Sequence, residues 1–316
     1  MAGGSSVGVV AERAASLPPG SATGRSLADQ VASDHRARGW RPWRWPSVGS
    51  SVGLALLLTV LVAAVAGPWL PLAEPDRQDL VGRLAPPLGF GGEVAHPLGT
   101  DTLGRDLLAR VVAGARVSAL VGVIATLVAG AIGVALGLVA GAAGGVTDRI
   151  VSWAVEVQMA VPFVVVAIAV GATLRPGVGT AVLVLGATGW VGYARVVRVQ
   201  ARSLRTAPFV EAARSLGAGR GRVLGRHLLP NLLGPAIVLA SQQVGAIVLY
   251  EAALSYLGLG VGGEVVTWGG MVAAGQETLV DAWWVATVPG LAIAWTVLGL
   301  TLVGDRLATR DGGARW

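Results

Sequence analysis

The chain has 316 residues, 53% of them hydrophobic and only 13% charged, whereas soluble domains carry roughly 25% charged residues. That balance excludes a single water-soluble domain and a largely disordered chain, and the 47 Gly follow no G-X-Y period that would mark collagen. There is no Cys, so no disulfide, thiolate metal site or Cys nucleophile is available; all 24 basic residues are Arg, so the Lys of a standard phosphate-binding P-loop is missing as well and an ATP-driven step would need another polypeptide.

In chain order, residues 1–47 read as a disordered cytoplasmic tail. It ends in the cluster Arg36, Arg38, Trp40, Arg41, Trp43, Arg44, Trp45, which suits the headgroup level of a membrane. Six apolar spans are expected at about 48–70, 117–140, 150–172, 178–193, 232–257 and 283–303, each near the ~20 residues that cross a bilayer. The expected fold is therefore an all-α polytopic membrane protein: a transmembrane domain over 48–306 and a short cytoplasmic tail over 307–316. Ala64-Val65-Ala66 resembles a signal cleavage site, but the 47 residues before the first span favour an uncleaved anchor.

The second span carries Gly133, Gly137 and Gly141 four residues apart, preceded by Gly122, Thr126 and Gly130. Such faces let helices approach closely in lipid, so their role is packing. Ionisable groups within spans are few: Glu156 in the third, Glu251 in the fifth, and Arg116 at the start of the second. Intramembrane charge is expensive, which makes each a candidate, against the plainer readings of snorkelling or internal pairing. Pro162 in the third span and Pro289 in the sixth break helical hydrogen bonding and read as hinges or static kinks.

Charge orients the chain. The first 47 residues carry net +3, residues 71–115 net −2, residues 195–226 net +7, residues 258–282 net −3, and the C-terminus from Gly304 net +1. With six spans, the basic segments share one side, which the positive-inside rule assigns to the cytoplasm. A nucleic-acid role is disfavoured because Phe209 is the only aromatic residue in the Arg-rich loop.

That loop is the most informative segment. Pro208 is suited to start a helix, 209–216 reads as a short helix, and Gly217 is placed to end it in a left-handed cap. A second helical stretch, 220–229, is expected to stop at Pro230. A helix, a Gly turn and a helix form a knob suited to a partner's groove.

Glu211-Ala212-Ala213, then Gly217, then His227 before Leu228-Leu229-Pro230, resembles the EAA motif of permease subunits of bacterial ABC importers. His227 is a feature of the branch that imports dipeptides, oligopeptides and nickel. The run from His96 to Asp106, Gly114-Ala115-Arg116, Gly144-Gly145, Asp148-Arg149, Ala160-Val161-Pro162, Glu251 to Gly260, Trp268-Gly269, Pro289-Gly290 and Gly304-Asp305 resemble the C-type permeases of that branch, although Glu156 stands where Asp is more usual.

The resemblance implies a type I ABC importer permease fold with Phe209, Glu211, Ala212, Ala213, Gly217, His227 and Pro230 in an ATPase-coupling loop. Glu211 would orient the loop through local hydrogen bonds. No catalytic residue, cofactor or metal is expected on this chain; ATP and Mg would bind partner ATPase subunits. The other implied partners are a homologous second permease and an extracytoplasmic solute-binding protein, at the bacterial cytoplasmic (inner) membrane with both termini in the cytoplasm. Peptides are the expected cargo. Nickel, metal chelates or oligosaccharides would use the same architecture. A stand-alone secondary transporter or channel would require essential intramembrane charges, and a membrane scaffold would carry no solute.

Overall fold

A computed structural model of the chain describes residues 48–262 and 265–311, with side chains up to residue 308. The tail 1–47 with its Arg/Trp cluster, Gly263 and Glu264, and residues 312–316 lie outside the described residues. Helix α1 is Val48–Ala66, followed by a 3-10 turn at Gly67–Trp69. Then come α2 (Leu107–Ala143), α3 (Gly145–Ala160), α4 (Phe163–Gly171), α5 (Val178–Leu204), α6 (Pro208–Ser215), the single turn α7 (Arg220–Arg222), π-helical turns at Val223–Leu228, α8 (Leu229–Tyr256), α9 (Trp268–Gly275) and α10 (Trp284–Asp311). Among the described residues the β-structure is one isolated bridge, Thr100 with Asp106. Among the described residues five helices are long and apolar enough to cross a membrane, six if α3 and α4 form one broken span.

The second span begins earlier than expected. α2 has 37 residues, about 55 Å at 1.5 Å per residue, while a bilayer's hydrocarbon core is only about 30 Å thick. Its first turns therefore project beyond the lipid. Asp106 caps the helix by accepting from the Ala109 N–H at 2.7 Å, satisfying a donor that helix geometry leaves free. Arg110, which reads as polar in sequence, is held by Asp76 at 2.8 Å and Asp101 at 3.7 Å. Asp101 also accepts from Arg105 at 2.6 Å. The His96–Asp106 segment is thus a clasp: His96 Nδ1 lies 2.8 Å from Asp106, and Thr100 donates to the Gly82 carbonyl and accepts from the Ala85 N–H. Trp284, at the start of α10, donates to the Thr100 carbonyl at 3.2 Å, which ties the clasp to the last span.

The third expected span is not one rod. α3 and α4 meet at 84°. Pro162 has no N–H to give the helix, and it forces Val161 into an extended conformation, φ −97° and ψ 119°. Pro289 and Pro235 sit within α10 and α8 without interrupting them. The fourth and sixth spans run past their expected ends, to Leu204 and Asp311.

The expectation that the second loop helix stops at Pro230 is overturned. Arg220–Tyr256 is one helical run of 37 residues. Pro230 stands in the first turn of α8, directly after the π-helical turns, where the Leu229 N–H bonds the Leu224 carbonyl five residues back. In a regular α-helix the proline ring would strike the carbonyl four residues earlier; the wider π turns provide room without ending the helix.

The small-residue face packs as expected but serves two neighbours. A Cβ on Gly133, Gly137 or Gly141 would stand 2.4–2.6 Å from the carbonyl oxygens of Trp190, Ala194 and Arg198 on α5. Gly122 instead faces Val248 on α8, 2.7 Å from such a Cβ, and the Thr126 hydroxyl donates back to the Gly122 carbonyl. α2 and α5 run parallel along this contact, with Gly133, Gly137 and Gly141 against Trp190, Ala194 and Arg198, and Arg198 of α5 grips Asp148 of α3 with two hydrogen bonds.

Candidate coupling surface

Helix α6 owes its start to Pro208 at its first position, with Ala207 extended before it, the place where a missing N–H does no harm. Its end is a Schellman cap. The Gly217 N–H bonds the Arg214 carbonyl at 2.9 Å and the Ala218 N–H bonds Ala213 at 3.0 Å, with Gly217 at φ +85°. A Cβ at Gly217 would meet nothing within 4 Å; the demand for glycine there is conformational, not steric. Glu211 lies in the first turn and Arg214 in the last, the arrangement the helix dipole favours.

The helix is seated by one residue. Val210 is 0% exposed and belongs to a buried cluster with Leu204, Val223, Leu228 and Leu232. α6 is therefore anchored to the end of α5 and to the start of the 37-residue run. Its exposed surface carries an apolar stripe beside the polar Glu211, Arg214 and Ser215: Phe209 is 44% exposed, Leu216 just past the helix is 89% exposed, and Ala212 between them is exposed too. Positions i, i+3 and i+7 share a helix face. Such a stripe of apolar side chains in water fits the groove of a partner.

The seven coupling-loop residues expected from sequence thus gather at one end of the bundle. His227 lies in the π turns with its ring 6.5 Å from that of Phe209, and its carbonyl accepts from the Asn231 side chain at 2.6 Å. Ala213 is half-buried and contributes its carbonyl to the cap. The local hydrogen bonds expected of Glu211 are not formed. Among the described residues its carboxylate is exposed and has no partner; only its backbone carbonyl accepts, from Ser215. Of the eight Arg over 195–226, Arg198 alone forms an ion pair among the described residues. Sequence reasoning passed over Val210 and Leu216, although the spacing of Leu216 from Phe209 and Ala212 marks the same face.

The intramembrane candidates are not brought together. Glu156 is exposed on α3 with no ion pair among the described residues. Glu251 is 0% exposed near the end of α8. It accepts from the Ser255 hydroxyl at 2.8 Å, while its second oxygen and the Ser118 hydroxyl of α2 are buried without a hydrogen-bond partner. Pro162 sits at the 84° break. A proton relay needs a chain of such groups, and these three form none.

Comparisons with known proteins bear on the family and the fold. The family described as binding-protein-dependent transport system inner membrane component matches residues 133–310. The dipeptide transport system permease protein DppC of Escherichia coli (strain K12) is 41% identical over 260 residues, covering 82% of this chain and 87% of that protein. DppC of Bacillus subtilis (strain 168) is 38% identical over 256 residues, 81% and 78% of the two chains. The probable D,D-dipeptide transport system permease protein DdpC of Escherichia coli (strain K12) is 37% identical over 259 residues, 82% and 84%. A chain of the inward-facing MetNI methionine ABC transporter superposes with a TM-score of 0.54 at 20% identity, covering 65% of this chain and 97% of that one; that likeness concerns the fold.

Proposed function

Because this chain belongs to the family of binding-protein-dependent transport system inner membrane components, we propose that it is the C-type permease subunit of an ATP-driven importer of di- or oligopeptides. The chain is a multi-pass transport subunit. The observation that carries the coupling mechanism is α6, seated on Val210 with Phe209, Ala212 and Leu216 facing water. In this reading α6 inserts into a groove of a separate ATPase subunit. The unpartnered Glu211 and the exposed Arg residues around it then meet complementary groups on that subunit or lipid phosphates.

ATP and Mg bind on the ATPase pair, not on this chain. A homologous second permease completes the pathway, and an extracytoplasmic binding protein delivers the peptide. In this reading the termini and α6 face the cytoplasm, the side that the +7 of residues 195–226 favours. Closure of the ATPase dimer pushes on α6. The displacement passes through Val210 into the helical run that becomes α8, and so into the spans.

The test is uptake of labelled dipeptides and longer peptides into vesicles holding the assembled subunits. Uptake that requires ATP on the α6 side, stops when the ATPase is left out, and follows the ligand preference of the binding protein is the expected result. Uptake that persists without the ATPase would refute the reading.

A further inference from the structure

Arg110 and Arg116 are the only charged residues of α2, and the structure treats them in opposite ways. Arg110 is nearly enclosed and held by Asp76 and Asp101. Arg116, less than two turns further on, is exposed and has neither a hydrogen bond nor an ion pair among the described residues. It stands where α2 passes from its loop-clad first turns into the apolar stretch that begins at Val117. It is also level with Pro68 and Trp69, at the end of α1 opposite α6. At the headgroup level an exposed guanidinium with no protein partner is placed to meet a lipid phosphate.

Two grooves on the flank of the bundle converge at this point. The upper one, of about 570 Å³, runs between α1 and α2 from Arg116 and Trp69 past Val65, Leu120 and Ile124. The lower one, of about 290 Å³, is almost wholly apolar and continues past Leu61 to Leu54. Both are lined by Ala64, Ala119 and Val123, so they form one channel. From Trp69 to Leu54 that channel follows α1 for about 20 Å, somewhat more than the roughly 15 Å depth of one bilayer leaflet.

We propose that this channel is a binding site for an anionic phospholipid. The phosphate takes the two-pronged hydrogen bond that a guanidinium offers, Trp69 lies at the headgroup level as interfacial Trp residues do, and one acyl chain lies along the channel toward Leu54. The length and apolar character of the channel distinguish a lipid from free phosphate, and the single unpaired cation at its mouth favours an anionic headgroup over a zwitterionic one. The site lies on the flank of α1 and α2, away from α6, and does not depend on which solute is carried.

The experiment is native mass spectrometry of the full chain, purified in neutral detergent and titrated with phosphatidylglycerol or with phosphatidylcholine. Phosphatidylglycerol should be retained preferentially. Arg116→Gln should lower its retention about five-fold and erase the preference, Arg116→Lys should keep most of it, and Ala119→Leu, which narrows the shared stretch, should lower retention of both lipids. Inorganic phosphate at equal concentration should not displace the lipid. Equal retention of the two lipids by the wild type, unchanged retention in Arg116→Gln, or displacement by inorganic phosphate would each overturn the proposal.

Discussion

Replacing Gly217 by alanine alters one thing at the C-terminus of α6. The new methyl group has empty space around it, since nothing lies within 4 Å of the Cβ position, so no clash contributes. What remains is the left-handed backbone, φ +85°, which costs an L-residue with a Cβ about 1–2 kcal/mol. The Gly217 N–H bond to Arg214 and the Ala218 bond to Ala213 survive if the backbone stays in place. A penalty of this size reduces the capped population relative to the frayed one by about five- to thirty-fold. Gly217→Pro is harsher, because it also removes the N–H that bonds Arg214 and fixes φ near −65°. Gly217→Asn is the mild control, since Asn tolerates the left-handed region. Peptide uptake in vesicles, read beside the abundance of the chain and its co-purification with the ATPase, should rank wild type, Asn, Ala, Pro. The abundance of the membrane-inserted chain should stay constant, because Gly217 itself is exposed. If Gly217→Pro transports and co-purifies like the wild type, the assignment of α6 as the coupling element is wrong.

Val210→Ala should loosen the seat of α6 by about 1–3 kcal/mol, lowering ATP-dependent uptake more than it lowers the amount of inserted chain; an equal fall in both would make Val210 a plain folding residue. Gly137→Val should drive α2 away from α5, because its Cβ would stand 2.6 Å from the Ala194 carbonyl. Overpacking of this kind costs about 1–3 kcal/mol and should appear as a lower melting temperature in detergent. Glu251→Gln keeps the oxygen that accepts from Ser255 and should leave uptake unchanged. Loss of uptake at normal abundance would assign Glu251 a role in proton movement that its surroundings do not support.

Much of this architecture was legible because bilayer physics writes itself into sequence. Apolar runs of the right length exposed the spans, and small residues four apart exposed a packing face on α2, without saying that α5 fills it. The coupling loop was legible through local chemistry, a proline that starts a helix and a glycine that ends one. Three features were not. The early start of α2 was hidden because Arg110 reads as a polar terminus until its partners Asp76 and Asp101, more than thirty and nine residues away, are brought beside it. The continuation through Pro230 was hidden because a proline stop and a proline in a first helical turn look alike until the π turns before it are seen. Val210 was hidden because Phe209 beside it is the larger apolar residue and an eight-residue helix does not say which side is buried; its meaning comes from Leu204, Val223, Leu228 and Leu232 around it. Pro162 did mark the break in the third span, but the 84° angle belongs to packing.

The unbroken helix from Arg220 to Tyr256 gives the molecule a lever. Its 37 residues measure about 55 Å, one end lying under α6 and the other carrying Glu251 between α2 and the last helices. Had Pro230 been a stop, the docking knob and the span would be joined by a flexible corner, and a push on one would be lost before reaching the other. As a single rod, a tilt of about 10° around one end sweeps the opposite end through about 10 Å. The bundle would then need no wire of successive side-chain contacts between its two faces, only a stiff member and a pivot.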